Sequence, residues 1–260
     1  MTYETVRTSR DGAAYVITMH RPERRNALSR TMVMEIVQAA RAGEADGDAR
    51  AIILTGGTDC FSAGADLTEA IALETGPQAM AYFRGLQGMC DALEALQKPV
   101  IAAIEGFCFT GGLELALACD IRVGAAGSSY MITSSRIGTV PGAGGTQRLP
   151  RTIGTGKALE MLFAAEPIDA EEAYRIGLIN RLSAKCGALE EAKRVAKVYE
   201  SRAPLSLAYI KRAVHRGMQM DLASGLELEV CLATNAYATQ DKHEGISAFL
   251  EKRPAKFEGR

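Results

Sequence analysis

The chain of 260 residues is 47% hydrophobic and 23% charged, with a formal net charge of −1, the balance of an ordinary soluble globular protein. Without a concentrated basic run it is not expected to bind nucleic acid, and no apolar run approaches the roughly 18 residues that span a bilayer. The polar start "MTYETVRTSRDG" lacks the apolar stretch of a secretion signal, so a cytoplasmic protein is expected.

In chain order, "AYVITMHRP" reads as the first strand, being short and rich in β-branched residues. Ser29 is an N-cap candidate, after which Met32, Ile36 and Ala40 fall on one helical face. "AIILTGG" reads as a second strand and is followed by the glycine turn "FSAGADL". Met80, Phe83, Leu86, Cys90, Leu93 and Leu96 then form an apolar stripe that Lys98-Pro99 terminates. "PVIAAIEG" is a third strand, joined by the glycine turn "FTGGLEL" to a helix starting near Gly112. "DIRVGAA" and "LINRLS" are further strands, on either side of a third glycine turn, "VPGAGGTQRL".

Past about residue 187 the strand signals stop. Pro204 suits a first helical turn, with Leu207, Ile210, Val214 and Met218 behind it, and Leu222, Leu226, Val230, Ala233 and Tyr237 make another face. An α/β core thus carries an all-helical tail, docked on that core or on a neighbouring subunit.

Several chemistries find no support. Cys60, Cys90, Cys108, Cys119, Cys186 and Cys231 lie in apolar segments without CxxC spacing and read as reduced core residues. His20, His215 and His243 are far apart, so no metal is expected. "GAGGTQ" fits neither GxxxxGK[ST] nor GxGxxG after a strand, and GxSxG is absent. Each glycine turn alone reads as tight packing, or as a loop aiming backbone N–H groups at an oxyanion. Glu114, among Leu113, Leu115, Ala116, Leu117 and Ala118, reads as a buried capping or ion-pair carboxylate, or as an acid–base group. A helix start favours its ionised form and burial the protonated one.

Together, "HRPERRNAL" (20–28), "FSAGADL" (61–67), "KPVIAAIEGFCFTGGLELALACDIRV" (98–123), "IGTVPGAGGTQRLPRTIG" (137–154) and "EGISAFLEKRPAKF" (244–257) resemble the enoyl-CoA hydratase/isomerase, or crotonase, family, in one order from about residue 12 onward. The resemblance implies a crotonase-like α/β spiral of ββα units over residues 1–195, which binds acyl-CoA and carries the chemistry. It implies a C-terminal helical region, residues 196–260, that forms a homotrimer or homohexamer and contacts CoA. It further implies an acyl-CoA substrate and no separate cofactor, coenzyme A being part of the substrate.

Carried over by position, the resemblance puts oxyanion-hole N–H groups on Ala65 and Gly111 and makes Glu114 the first of two carboxylates used by hydratases. It assigns substrate and CoA contacts to Ala63, Ala65, Asp66, Leu67, Thr68 and Gly111, with Thr68 replacing a lysine common in hydratases. Arg24, Arg25 and Ala27 match the loop around the pantetheine and adenosine. Phe249 and Lys252 match positions that reach the adenosine or its 3′-phosphate, often on a neighbouring subunit, with Arg253 and Lys256 adding positive charge.

One position departs from the pattern. The second glutamate of hydratases aligns with Ser134, and no Asp or Glu occurs from Ile121 to Leu159. A serine hydroxyl orients water but is a poor proton acceptor at neutral pH. Glu69 and Glu74 are the only nearby substitutes. Hydration of a 2-enoyl-CoA, or the reverse dehydration, is the first expectation. The alternatives are an isomerase or malonyl-type decarboxylase using Glu114 alone, and a non-catalytic acyl-CoA-binding homologue. The loop Pro141–Gly145 is of the hydratase type, whereas related decarboxylases carry a tyrosine there.

Overall fold

The structure, a computed structural model, describes residues 2–260. Its main sheet contains, in spatial order, β1 (Val6–Asp11), β2 (Ala14–Met19), β3 (Ala51–Thr55), β4 (Val100–Ile104), β6 (Ile121–Ala125) and β9 (Arg181–Ser183). Within this sheet only the β1–β2 pair is antiparallel. A smaller sheet joins β5 (Phe107–Phe109), β7 (Ser129–Met131) and β8 (Ile168–Asp169).

Every residue of β3 and β4 is buried, as expected of parallel strands covered on both faces. Successive side chains alternate between two cores. Ile52, Leu54, Val100, Ala102 and Ile104 pack toward α1 (Arg30–Ala45), α3 (Gly76–Glu94) and α4 (Gly111–Leu117). Ile53, Ile101, Ala103 and Val123 face α8 (Ala188–Glu200) through Ala188, Ala192, Val195 and Ala196. The three alanines let that helix lie close to the sheet. The expected division after residue 195 falls inside α8.

Local signals explain most helix starts. The Ser29 hydroxyl accepts from the Met32 amide at 3.2 Å, and Thr75 with Gln78 forms a capping box for α3. The buried face of α3 is Tyr82, Leu86, Met89, Cys90 and Leu93. Met80, expected in that stripe, is 66% exposed. The helix packs on both α1 and α4, and this turns its core face past the one drawn from spacing alone. "LINRLS" forms a strand only at its end, because Leu178 and Ile179 are buried in the preceding turn.

Shorter helices are α2 (Leu67–Ala70), α5 (Gly145–Ile153), α6 (Thr155–Ala164) and α7 (Ala170–Arg175), of which α5 packs on α4. The tail consists of α9 (Pro204–Gly217), α10 (Leu222–Tyr237) and α11 (Gln240–Leu250). Its joint to the core is polar. Lys211 of α9 is buried, and its Nζ lies 2.8 Å from an Asp120 carboxylate oxygen and donates to the carbonyls of Leu93 and Lys98 at 3.2 Å. His215 Nε2 meets the other Asp120 oxygen at 2.8 Å. Burial pushes the Asp120 carboxyl up, but His215, Lys211 and the Val100 N–H outweigh it and hold it below the usual range.

Beyond that joint the tail is open. Ile210, Val214 and Met218 of the first expected tail face, and Leu222, Leu226, Val230 and Tyr237 of the second, are exposed within one chain. In α10 only Leu232 is buried. Among the described residues no His, Cys, Asp or Glu side chains are grouped to hold a metal ion, and no helix is long and apolar enough to cross a membrane.

Candidate active site

The loop after β3 is tied to the turn before α1. The Asn26 side-chain amide donates to the carbonyls of Gly56, Cys60 and Phe61 at 2.9, 3.2 and 3.3 Å. The Ser62 hydroxyl donates to the Asn26 carbonyl at 2.7 Å. Arg21 donates to the Ala27 carbonyl at 2.8 Å and to the Asp66 carboxylate at 3.0 Å. That carboxylate also accepts the Thr68 amide, capping α2.

This frame leaves the Ala65 amide unused. The Leu28 amide donates to the Gly64 carbonyl at 2.8 Å, and the Asp66 amide donates to the Leu28 carbonyl at 3.2 Å. Ala65, between them, has its N–H joined to no acceptor among the described residues. Gly111 is the first residue of α4, so its N–H also has no helical acceptor. The two loops touch. A Cβ on Gly111 would lie 3.1 Å from the Ala65 nitrogen, and one on Gly64 would lie 2.9 Å from the Phe109 carbonyl oxygen. Gly64 also holds φ +101°, so a side chain there is excluded by both space and backbone.

Glu114 stands one turn into α4, with 3% of its surface exposed. Its Oε1 accepts the amides of Ala143 and Gly145 at 2.8 and 2.7 Å. Its Oε2 accepts none. Tyr82 Oη is the one fully buried side-chain N or O atom without a partner among the described residues, so Glu114 Oε2 keeps contact with accessible space. Burial pushes the Glu114 carboxyl above the usual range, and the Gly145 amide, the Ala143 amide and the Arg148 charge offset this only in part. The group is therefore held nearer to neutral pH than a free glutamate.

Arg148 fixes the loop that supplies those amides. Its Nε and Nη2 donate to Glu94 at 2.6 and 3.1 Å, Nη2 donates to Asp91 at 2.9 Å, and Nη1 donates to the Ala143 carbonyl at 3.0 Å. Burial works against its charge, but Glu94 and Asp91 prevail and hold it more firmly protonated. Spacing did not single out Arg148, Ala143 or Gly145; only the run "GAGGTQRL" marks where they lie.

Ser134 begins a 3-10 turn, Ser134–Ile137, and is 4% exposed. Its hydroxyl has no hydrogen-bond partner among the described residues and, like Glu114 Oε2, is not sealed from accessible space. The preceding Thr133 bonds to Thr110, whose carbonyl accepts the Glu114 amide at 2.9 Å, so the serine turn adjoins the start of α4. Neither substitute carboxylate is delivered to Glu114. Glu69 accepts the Arg30 amide at the start of α1, and Glu74 is exposed.

The expected CoA contacts divide in two. Arg24 and Arg25 are exposed and Ala27 half-buried on the turn before α1, beside Ala63, Ala65, Asp66, Leu67 and Thr68. Phe249, 82% exposed, and Lys252 lie at and beyond the end of α11, and no hydrogen bond joins either to that surface.

Comparison with known proteins bears on this constellation. The family described as enoyl-CoA hydratase/isomerase matches residues 9–260. The chain is 38% identical to a crotonyl-CoA hydratase of Syntrophomonas wolfei, over 99% of each chain. It is 36% identical to a short-chain-enoyl-CoA hydratase of Clostridium acetobutylicum, over 100% of this chain and 98% of that one. A crystal structure of an enoyl-CoA hydratase from Bacillus anthracis superposes with a TM-score of 0.94 at 34% identity, covering 99% of this chain and 100% of that one.

Proposed function

The chain belongs to the enoyl-CoA hydratase/isomerase family and is an enzyme of the enoyl-CoA hydratase type, and from that premise we propose that it adds water to a short 2-enoyl-CoA or runs the reverse dehydration. The observation that carries this reading is the unequal solvation of the Glu114 carboxylate. Two amides saturate Oε1 and leave Oε2 without a partner, on the helix whose first N–H, that of Gly111, is also unused.

The thioester C=O accepts the Ala65 and Gly111 N–H groups, which stabilise the enolate formed as the β-carbon is attacked. Glu114 Oε2 takes a proton from the attacking water and delivers one to the α-carbon. The hydroxyl ends on the β-carbon, the hydrogen on the α-carbon, and the carboxylate is regenerated. The Ser134 hydroxyl orients the water without moving its proton. Arg24, Arg25, Ala27, Ala63, Asp66, Leu67 and Thr68 form the surface for the CoA moiety.

A second reading, isomerisation or malonyl-type decarboxylation by Glu114 alone, draws on the absence of a carboxylate at Ser134. Assembly belongs to the first reading. The exposed apolar faces of α9 and α10 fit a homotrimer or homohexamer, in which a neighbour's Phe249 and Lys252 reach the CoA surface. The compartment assigned is the cytoplasm.

The test is incubation with crotonyl-CoA in deuterated water. Loss of the conjugated enoyl absorbance, with one deuterium at the α-carbon of a 3-hydroxyacyl product, supports hydration. Deuterium at the α- or γ-carbon without water addition supports isomerisation, CO₂ release from a malonyl-type CoA thioester supports decarboxylation, and binding of both thioesters without any of these overturns both readings.

A further inference from the structure

Thr110 occupies a backbone conformation that suits glycine. Its φ is +47° and ψ −114°, close to the first central position of a type II′ turn. A β-branched residue at positive φ is a genuine outlier. It persists only where its surroundings over-determine it.

Three contacts do so here. The Thr110 amide donates to the Met131 carbonyl at 2.7 Å. The Thr110 and Thr133 hydroxyls share a hydrogen bond of 2.7 Å, and the Thr133 amide donates to Thr110 Oγ1 at 3.1 Å. The side chain is thus gripped by the segment that carries Ser134. Its own carbonyl accepts the Glu114 amide. The peptide that leaves Thr110 carries the Gly111 N–H, so rotation about Thr110 re-aims that donor.

We propose that Thr110 and Thr133 form a hydroxyl clamp that aims the Gly111 N–H and holds the Ser134 turn in register with it. Both are positioning residues, and the inference rests on the assignment of the Gly111 N–H to the oxyanion hole. A glycine at position 110 would adopt the same dihedrals without strain but would have no oxygen to grip. Strain at this one residue is therefore coupled to the order of the site.

The decisive variant is Thr110→Gly, read on two axes. Its thermal midpoint stays within a few degrees of wild type, because glycine suits the turn. Its kcat for crotonyl-CoA hydration falls about 10- to 100-fold with a smaller change in KM, as for a misplaced donor. Thr133→Val removes one hydroxyl and lowers kcat about 3- to 10-fold, the worth of a single hydrogen bond. Thr110→Ser keeps the oxygen and restores kcat to within about threefold of wild type, less than the loss of that one bond.

Carbonyl infrared spectra of bound butyryl-CoA, carrying ¹³C at its thioester carbon, separate the two levels of the argument. Wild type lowers the C=O stretch, and Thr110→Gly returns it toward the free value. A shift that persists in Thr110→Gly together with undiminished kcat overturns the clamp and leaves the oxyanion hole standing. No shift in wild type, or no binding, overturns the oxyanion assignment and the clamp with it.

Discussion

Gly145 donates its amide to Oε1 of Glu114 across 2.7 Å, and Ala143 donates to the same atom. A glutamine at position 114 presents a carbonyl oxygen to the same two donors, so Glu114→Gln folds. It loses the proton carrier, and kcat falls about 10²- to 10⁴-fold. Steady-state hydration of crotonyl-CoA checks this; activity within a few-fold of wild type refutes an acid–base role.

The same variant carries a pH signature. The folded-state pKa of Glu114 is raised, so the native protein holds this proton more tightly than the unfolded chain does. That contribution is full below the ordinary carboxylate range and is lost as pH rises through the folded pKa. Glutamine does not titrate. The thermal midpoint of Glu114→Gln relative to wild type therefore rises as pH climbs above the ordinary carboxylate range. Midpoint curves that stay parallel above that range contradict the raised pKa.

Ser134→Glu places a carboxylate where the resemblance puts the second glutamate of hydratases. Hydration of crotonyl-CoA is expected to rise about tenfold or more, short of the roughly 10²- to 10⁴-fold that an optimally positioned acid–base group supplies. The assay is kcat/KM at fixed pH, with the fold checked by circular dichroism. A folded variant without gain points to a pocket shaped for a different reaction.

The candidate residues of this site were marked by the resemblance, and the structure sets them on short local elements. Ala65, Gly111 and Glu114 lie within two short motifs, and their geometry follows from a loop and a helix start a few residues long. Arg148 could not be read, because its partners Asp91 and Glu94 belong to a helix 54 and more residues away in sequence. Thr110 gave no signal either, since positive φ at threonine is imposed by tertiary contacts rather than by propensity. The buried strands β3 and β4 announce themselves as continuous apolar runs. Strand β1, with only Val6 buried, does not, because an edge strand needs no apolar pattern. The faces of α9 and α10 were legible as apolar, but not as open.

Asp120→Asn breaks the joint between core and tail. Lys211 is left as a buried charge without its counter-ion, a loss of about 3–5 kcal/mol at neutral pH. The folded-state pKa of Asp120 is lowered, so the wild-type advantage is present above the ordinary aspartate range and lost as pH falls through the folded pKa. Urea denaturation at about pH 7 and again near pH 3 measures it. A penalty that does not shrink in acid excludes the ion pair as its source.

Leu226→Glu with Val230→Glu places two charges on the exposed face of α10. If that face joins subunits, sedimentation velocity will show a smaller particle than wild type at the same concentration, with unchanged circular dichroism. An assembly that keeps its size locates the contact elsewhere.

Helix α4 is short, and both of its ends are spoken for. Gly111 opens it, Glu114 lies within it, and just beyond it Asp120 is bolted to Lys211 and His215 of the tail. A rigid rod of this length transmits a push at one end to the other with little give. If the exposed faces of α9 and α10 seat against another copy, that contact is carried through Asp120 to the helix that holds Glu114, and assembly and the proposed chemistry become two loads on one beam.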